Sequence, residues 1–276
     1  MNTSMAFHGK RLLFLLIPVL ISMAYLGSTV SSTATKKDKG IVKVNNLTRS
    51  CELVNIEKHQ GHLKLSVQNN SGKTVTAFVL TSWIDPQTLF TLKTEFAFTD
   101  GDNMILPGRS YEMVMGIPTS FDHQSEMSLN FAAVVYEDKS AEGDPEIIRD
   151  VEDSRLGERI QYMKALPVID NLSRLSETEV NAYWNKTAGQ ALEQDLRVAL
   201  NAPDTKFLTQ LNKRPLNYNN PDIESSQFNE GVRGGKESVR ISYQDLKDSH
   251  ERYGTAGVRD DLIRLRDEYV KILARF

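Results

Sequence analysis

From residue 41 to about residue 142, runs of β-branched and aromatic residues alternate with turn formers at intervals of roughly ten residues, which predicts a sandwich or barrel of short strands. His62 to Gln68 alternates polar with apolar, Asn69-Asn70-Ser71-Gly72-Lys73 supplies a turn, and Thr74 to Leu80 resumes the strand pattern; together they predict a hairpin. Further strands are expected at Ser50 to Glu57, Leu89 to Phe98, Arg109 to Ile117 and Met127 to Tyr136, with turns at Asp100-Gly101-Asp102-Asn103 and Pro107-Gly108. Some six antiparallel strands in about 100 residues favour two packed layers over a closed barrel. The first folded unit is therefore an antiparallel β-sandwich over residues 41–143.

At Asp144 the period changes from two to that of a helix. Asp144 is placed to cap and Pro145 to open a helix carrying Ile148, Val151, Leu156, Ile160 and Met163, expected to end near Pro167. Ser176-Glu177-Thr178-Glu179 is a capping box for a second helix, whose Val180, Trp184, Ala188, Leu192 and Val198 share a face until Asn201-Ala202-Pro203. This helical region covers 144–211. Residues 212–235, rich in Asn, Pro, Ser and Gly, read as a loop or linker. A C-terminal helical segment, 236–276, ends in a stripe of Val258, Leu262, Leu265, Tyr269, Ile272 and Phe276 at spacings of four and three, with Gly254 and Gly257 breaking it from what precedes. The stripe suits either packing on the earlier helices or a seam for a protein partner or second copy. The fold class expected is α+β.

Lys10-Arg11 precede the uncharged apolar run Leu12 to Gly27, the order of a secretory signal, and Ser32-Thr33-Ala34 offers small residues for a cut after Ala34. Sixteen residues give about 24 Å of helix, short of the roughly 30 Å hydrocarbon layer, so residues 1–34 read as a cleaved signal, with an uncleaved anchor over 12–30 as the other outcome. Either way the two charges stay inside and the folded part is exported: periplasmic or extracellular, or anchored to the inner membrane. Residues 35–40 form a lysine-rich tether.

The chain has 276 residues, 33 Lys and Arg against 36 Asp and Glu. Removing the signal and its two positive charges takes the net charge from −3 to −5, which argues against nucleic acid as a partner. Cys51 is the single cysteine, so no intrachain disulfide forms, and it lies too far past the apolar run to be a lipidation site. No cofactor is implied: phosphate loop, dinucleotide fingerprint and nucleophile elbow are missing from the sequence. His59 and His62 read as surface turn histidines without a third ligand nearby. Asp100 to Asn103 starts like a calcium loop, but Ile105 and Tyr111 stand where such a loop needs Gly and Glu. Glu137, Asp138, Glu142 and Asp144 cluster where the last strand meets the first helix; they are the candidates for a metal or a carboxylate site, though a solvated turn ending in a helix cap explains every one of them. Trp83, Phe90, Phe96, Phe98, Tyr111, Phe121, Phe131 and Tyr136 are assigned to the core.

The run Leu65 to Ala77 with its Asn-Asn-Ser-Gly-Lys turn, Leu106-Pro107-Gly108-Arg109-Ser110, and Ala133 to Asp138 followed by Gly143-Asp144 resemble uncharacterised exported bacterial proteins with an immunoglobulin-like sandwich, over roughly residues 50–145. The resemblance implies a cell-envelope location and a noncatalytic scaffold. The expectation is an exported envelope binding or structural module. The alternatives are an envelope-polymer hydrolase using Glu137, Asp138, Glu142 and Asp144, or a single-pass membrane protein paired through its C-terminal helix.

Overall fold

The structure, a computed structural model, describes residues 41–59, 61–85, 88–95, 104–116, 126–187, 189–211, 225–254 and 257–275. The signal, the tether, the Asp100 to Asn103 turn and Phe276 lie outside them, as do the side chains of Trp83, Phe90, Phe96, Phe98 and Phe121. Among the described residues the strands are β1 (Ile41–Asn46), β2 (Cys51–His59), β3 (His62–Asn69), β4 (Val75–Asp85), β5 (Thr88–Glu95), β6 (Ser110–Gly116), β7 (Glu126–Tyr136) and β8 (Ala141–Gly143). They form two sheets, one ordered β2-β3-β6 and one ordered β1-β7-β4-β5 with β8 also on β7. The inward residues of each, Leu63, Leu65, Val67 and Met115 against Phe78, Leu80, Leu129, Phe131 and Tyr136, make one core. That alternation is what the sequence periodicity anticipates.

Two expectations of topology are corrected. The sheets are not wholly antiparallel, because β1 runs parallel to β7. One edge of β7 is shared: β1 lies along residues 126–131 and the short β8 along 133–135. The turn at Asn69 to Lys73 is a corner between sheets and not a hairpin, since β3 pairs with β2 and β6 while β4 pairs with β5 and β7. The buried Asn69 side chain builds that corner, donating to the carbonyls of Lys73 and Ile105 at 2.8 Å each and accepting from Ser71 N at 2.9 Å. Both strands bury a face in the same core, so their alternation is identical in either arrangement. The tight hairpin lies instead between His59 and His62.

Bulges set which side chains point inward. In β2 the irregularity between Val54 and Glu57 holds Asn55 at φ 52° and turns Ile56 toward the core. In β7 Ala132 is the extra residue, so the inward set changes from Leu129 and Phe131 to Val134 and Tyr136. The freed Ala132 carbonyl accepts Asp144 N at 2.8 Å. Gly143, at φ 118°, makes this closure, because a Cβ there would lie 2.7 Å from Ala133 Cα and closer still to the Ala132 carbonyl.

Asp144 caps α1 (Pro145–Ser173), its Oδ1 accepting from Glu146 N at 2.9 Å and Ile147 N at 3.4 Å. Its first turns lay Ile147, Ile148 and Val151 on the outer face of the second sheet, where Ala77 and Ala133 let the helix approach. The middle strands β4 and β7 are thereby covered on both sides. At 29 residues, about 43 Å, α1 then runs on into the helical region. It does not stop at Pro167: the proline is exposed, and Ala165 and Ile169 on either side are buried in the helical core. The capping box at Ser176 opens α2 (Glu177–Thr187), with Ser176 N and Oγ donating to Glu179 at 2.9 and 2.7 Å. The single second helix expected is interrupted at Gly189 (φ 77°), beyond which α3 (Gln190–Leu200) and α4 (Thr205–Leu211) follow.

The linker expected over 212–235 is corrected in its last ten residues, because α5 (Ser226–Tyr253) begins there, capped by Ser225. Glycines that lower helix propensity are used for contact: Gly231 and Gly235 press on the backbone of α1 near Ser154 and Glu158, and Gly157 of α1 presses on that of α5. α6 (Val258–Ala274) closes the core with Tyr162, Trp184, Leu192, Val239 and Tyr243. The described residues belong to a single compact unit.

Candidate functional site

Of the four carboxylates singled out at 137–144, Glu137 and Asp138 fall on the turn between β7 and β8, Glu142 in β8 and Asp144 at the cap of α1. Asp138 accepts from Ser140 N at 3.0 Å and pairs with Lys73 at 2.8 Å. The hydrogen bonds from Lys73 and Ser140 draw its carboxyl down to about 2. Glu142 faces the β1–β2 connection, accepting from Arg49 N (2.7 Å), Ser50 N (2.9 Å) and Ser50 Oγ (2.8 Å). Burial favours its neutral form, but these hydrogen bonds together outweigh burial and hold its pKa below the usual value. Asp144 is the helix cap, and the exposed Glu137 contributes its backbone N–H to Thr74 O at 2.9 Å.

Behind Glu142 a string of polar groups enters the core. The Tyr136 hydroxyl lies 3.8 Å from Cys51 Sγ, which is 3.6 Å from Asn69 Oδ1. Burial pushes the Cys51 thiol up to about 11 and raises Tyr136 as well, so both are neutral at physiological pH and neither is an activated nucleophile. Lys73 lies 5.6 Å from the centre of the Tyr136 ring. The cluster ties β1–β2, β3–β4 and β7–β8 together and holds the start of α1 in place.

A second polar layer, which the apolar periodicity of α1 concealed, lies on its inward face. Asp153, Arg155, Arg159 and Lys164 are all buried. Arg155 donates to Thr76 Oγ1 at 3.1 Å, Ser225 Oγ to Asp153 at 3.1 Å, and Lys164 to Asp204 at 2.5 Å and to the carbonyls of Leu200 and Ala202 at 3.3 and 2.6 Å. Burial raises Glu152 and Asp150, and the charge of Asp153 adds to both. These groups fasten α1 to β4, to the start of α5 and to the α3–α4 turn. Four charged residues within twelve positions that the helical period turns inward are the signal that would have found them.

The stripe proposed for a partner is occupied within the chain. Val258, Leu262, Tyr269 and Ile272 are buried and Leu265 is half-buried against α1 and α2, the intrachain packing that the stripe also allowed. Among the described residues the outward positions of the β2-β3-β6 sheet carry mostly accessible side chains. They include Glu52, Val54, Glu57 and His59 on β2, Lys64 on β3, and Glu112 and Val114 on β6, with Val114 65% exposed. Among the described residues no three His, Cys, Asp or Glu side chains gather around one point as metal ligands, and no helix is long and apolar enough to cross a membrane. No family model, curated protein or solved structure matches the chain.

Proposed function

We propose that this chain is an exported cell-envelope module that works by binding or bracing, without bond chemistry, on an immunoglobulin-like sandwich. The observation that carries the reading is the state of the junction carboxylates. Hydrolysis by paired carboxyl groups needs one of them protonated near neutral pH. Asp138 and Glu142 are shifted the other way, by hydrogen bonds that serve the fold. Export rests on Lys10-Arg11, the apolar run after it and Ser32-Thr33-Ala34. The immunoglobulin-like reading draws support from the strand order, β2-β3-β6 opposite β8-β7-β4-β5, with β1 as an added parallel strand. Contact with a partner is made through the outward face of the β2-β3-β6 sheet and the sandwich edges, since the middle strands of the second sheet and the helical stripe are covered.

Co-sedimentation of the purified chain with isolated bacterial envelopes tests this. The chain should pellet with the envelopes and release no soluble fragments from them. A chain that stays in the supernatant refutes binding, and fragment release abolished by Glu142→Gln refutes the noncatalytic reading.

A further inference from the structure

We propose that His59 and His62 form a binding site for one divalent transition-metal ion on the outward face of the β2-β3-β6 sheet. The two residues are directly opposite one another at the hairpin that joins β2 to β3. Their rings stack with centroids 5.0 Å apart and planes 18° from parallel. Two nitrogens on one tetrahedral ion stand about 3.4 Å apart, from metal–nitrogen bonds of roughly 2.1 Å. His59, with 37% of its side chain exposed, has room to turn and close that gap, and Glu57, 62% exposed, can follow it.

Glu57, two positions before His59 on the same face, places Oε2 3.2 Å from His59 Nε2. The ionised carboxylate accepts, so Nε2 carries the proton and Nδ1 keeps its lone pair for a metal. This is the carboxylate–imidazole arrangement that orients metal-binding histidines. On the third strand the residue opposite His62 is Gly116, which brings no side chain of its own against the imidazole. Two imidazoles with water in the remaining positions select ions of the zinc, copper and nickel type over magnesium or calcium. The proposal is independent of the export and binding reading: it uses the hairpin alone.

Calorimetric titration of zinc chloride into the full exported chain is the test. One zinc per chain is expected, with binding weakened more than ten-fold by His59→Gln or His62→Gln and about ten-fold by Glu57→Gln. His250→Gln and His123→Gln should leave the affinity as it is. All three hairpin side chains are solvent-accessible, so metal-free melting temperatures of their variants should match the parent, and the zinc-induced rise in melting temperature should disappear in them. Undiminished binding by the His59→Gln/His62→Gln double variant, or absence of binding to the parent at 0.1 mM zinc, overturns the proposal.

Discussion

The crossing of α1 and α5 allows a paired test on two glycines three residues apart. A methyl group on Gly231 would lie 2.6 Å from the carbonyl carbon of Ser154 and closer still to its oxygen, and these are backbone atoms that cannot rotate away. Ordinary contact starts near 3.4 Å, so Gly231→Ala must part the helices by about 1 Å. A gap of that size forfeits roughly a quarter to a half of the contact energy across it. Leu156, Ile160 and Phe228 pack at this crossing and contribute about 2–3 kcal/mol each when buried, which puts the loss at about 2–4 kcal/mol. Alanine's better helix propensity offsets about 1 kcal/mol. Gly234 has open space around it, so Gly234→Ala keeps only the propensity gain. For a chain of this size about 2–4 °C accompanies each kcal/mol. By thermal unfolding Gly231→Ala should melt about 2–12 °C lower and Gly234→Ala about 2–4 °C higher than the parent. Equal melting temperatures for the two variants would refute the close crossing.

Glu142→Gln removes a charge that accepts three hydrogen bonds and should cost about 1–2 kcal/mol at neutral pH. Because the folded pKa is lowered, that contribution is present above the unfolded value of 4.5 and is lost as pH falls through the folded value. The stability gap between parent and variant, measured by denaturant titration, should therefore narrow from pH 6 to pH 3. Lys164→Met should cost about 3 kcal/mol in the same assay, since it takes the cation from Asp204 and leaves the carbonyls of Leu200 and Ala202 beside a side-chain site only 2% exposed. Cys51, buried and with its thiol pushed up to about 11, should resist a thiol reagent in the folded chain and react promptly in guanidinium chloride.

Strands were legible wherever one face meets a core: His62 to Gln68 and Thr74 to Leu80 alternate as they should. Their pairing was not, because a corner held by Asn69 and a hairpin place the same apolar residues in the same core. Ala132 shows a second limit: a bulge reverses which residues face inward and leaves no mark on composition. The Asp144 cap and the Ser176 capping box were readable because their chemistry is local. The start of α5 was hidden since glycine is read as a loop former, whereas Gly231 and Gly235 trade helix propensity for backbone contact with a helix some 75 residues earlier. The carboxylates at 137–144 were found as a group, but their separate roles follow from Lys73, Arg49 and Ser50, which only the folded chain brings near.

Export is the central step of the proposed function, and intact mass measures it most directly. Cells expressing the full chain are fractionated and the protein in each fraction is weighed. A mass beginning at Thr35 in the soluble exported fraction is expected. A full-length mass in the cytosol would contradict export and the proposed function with it.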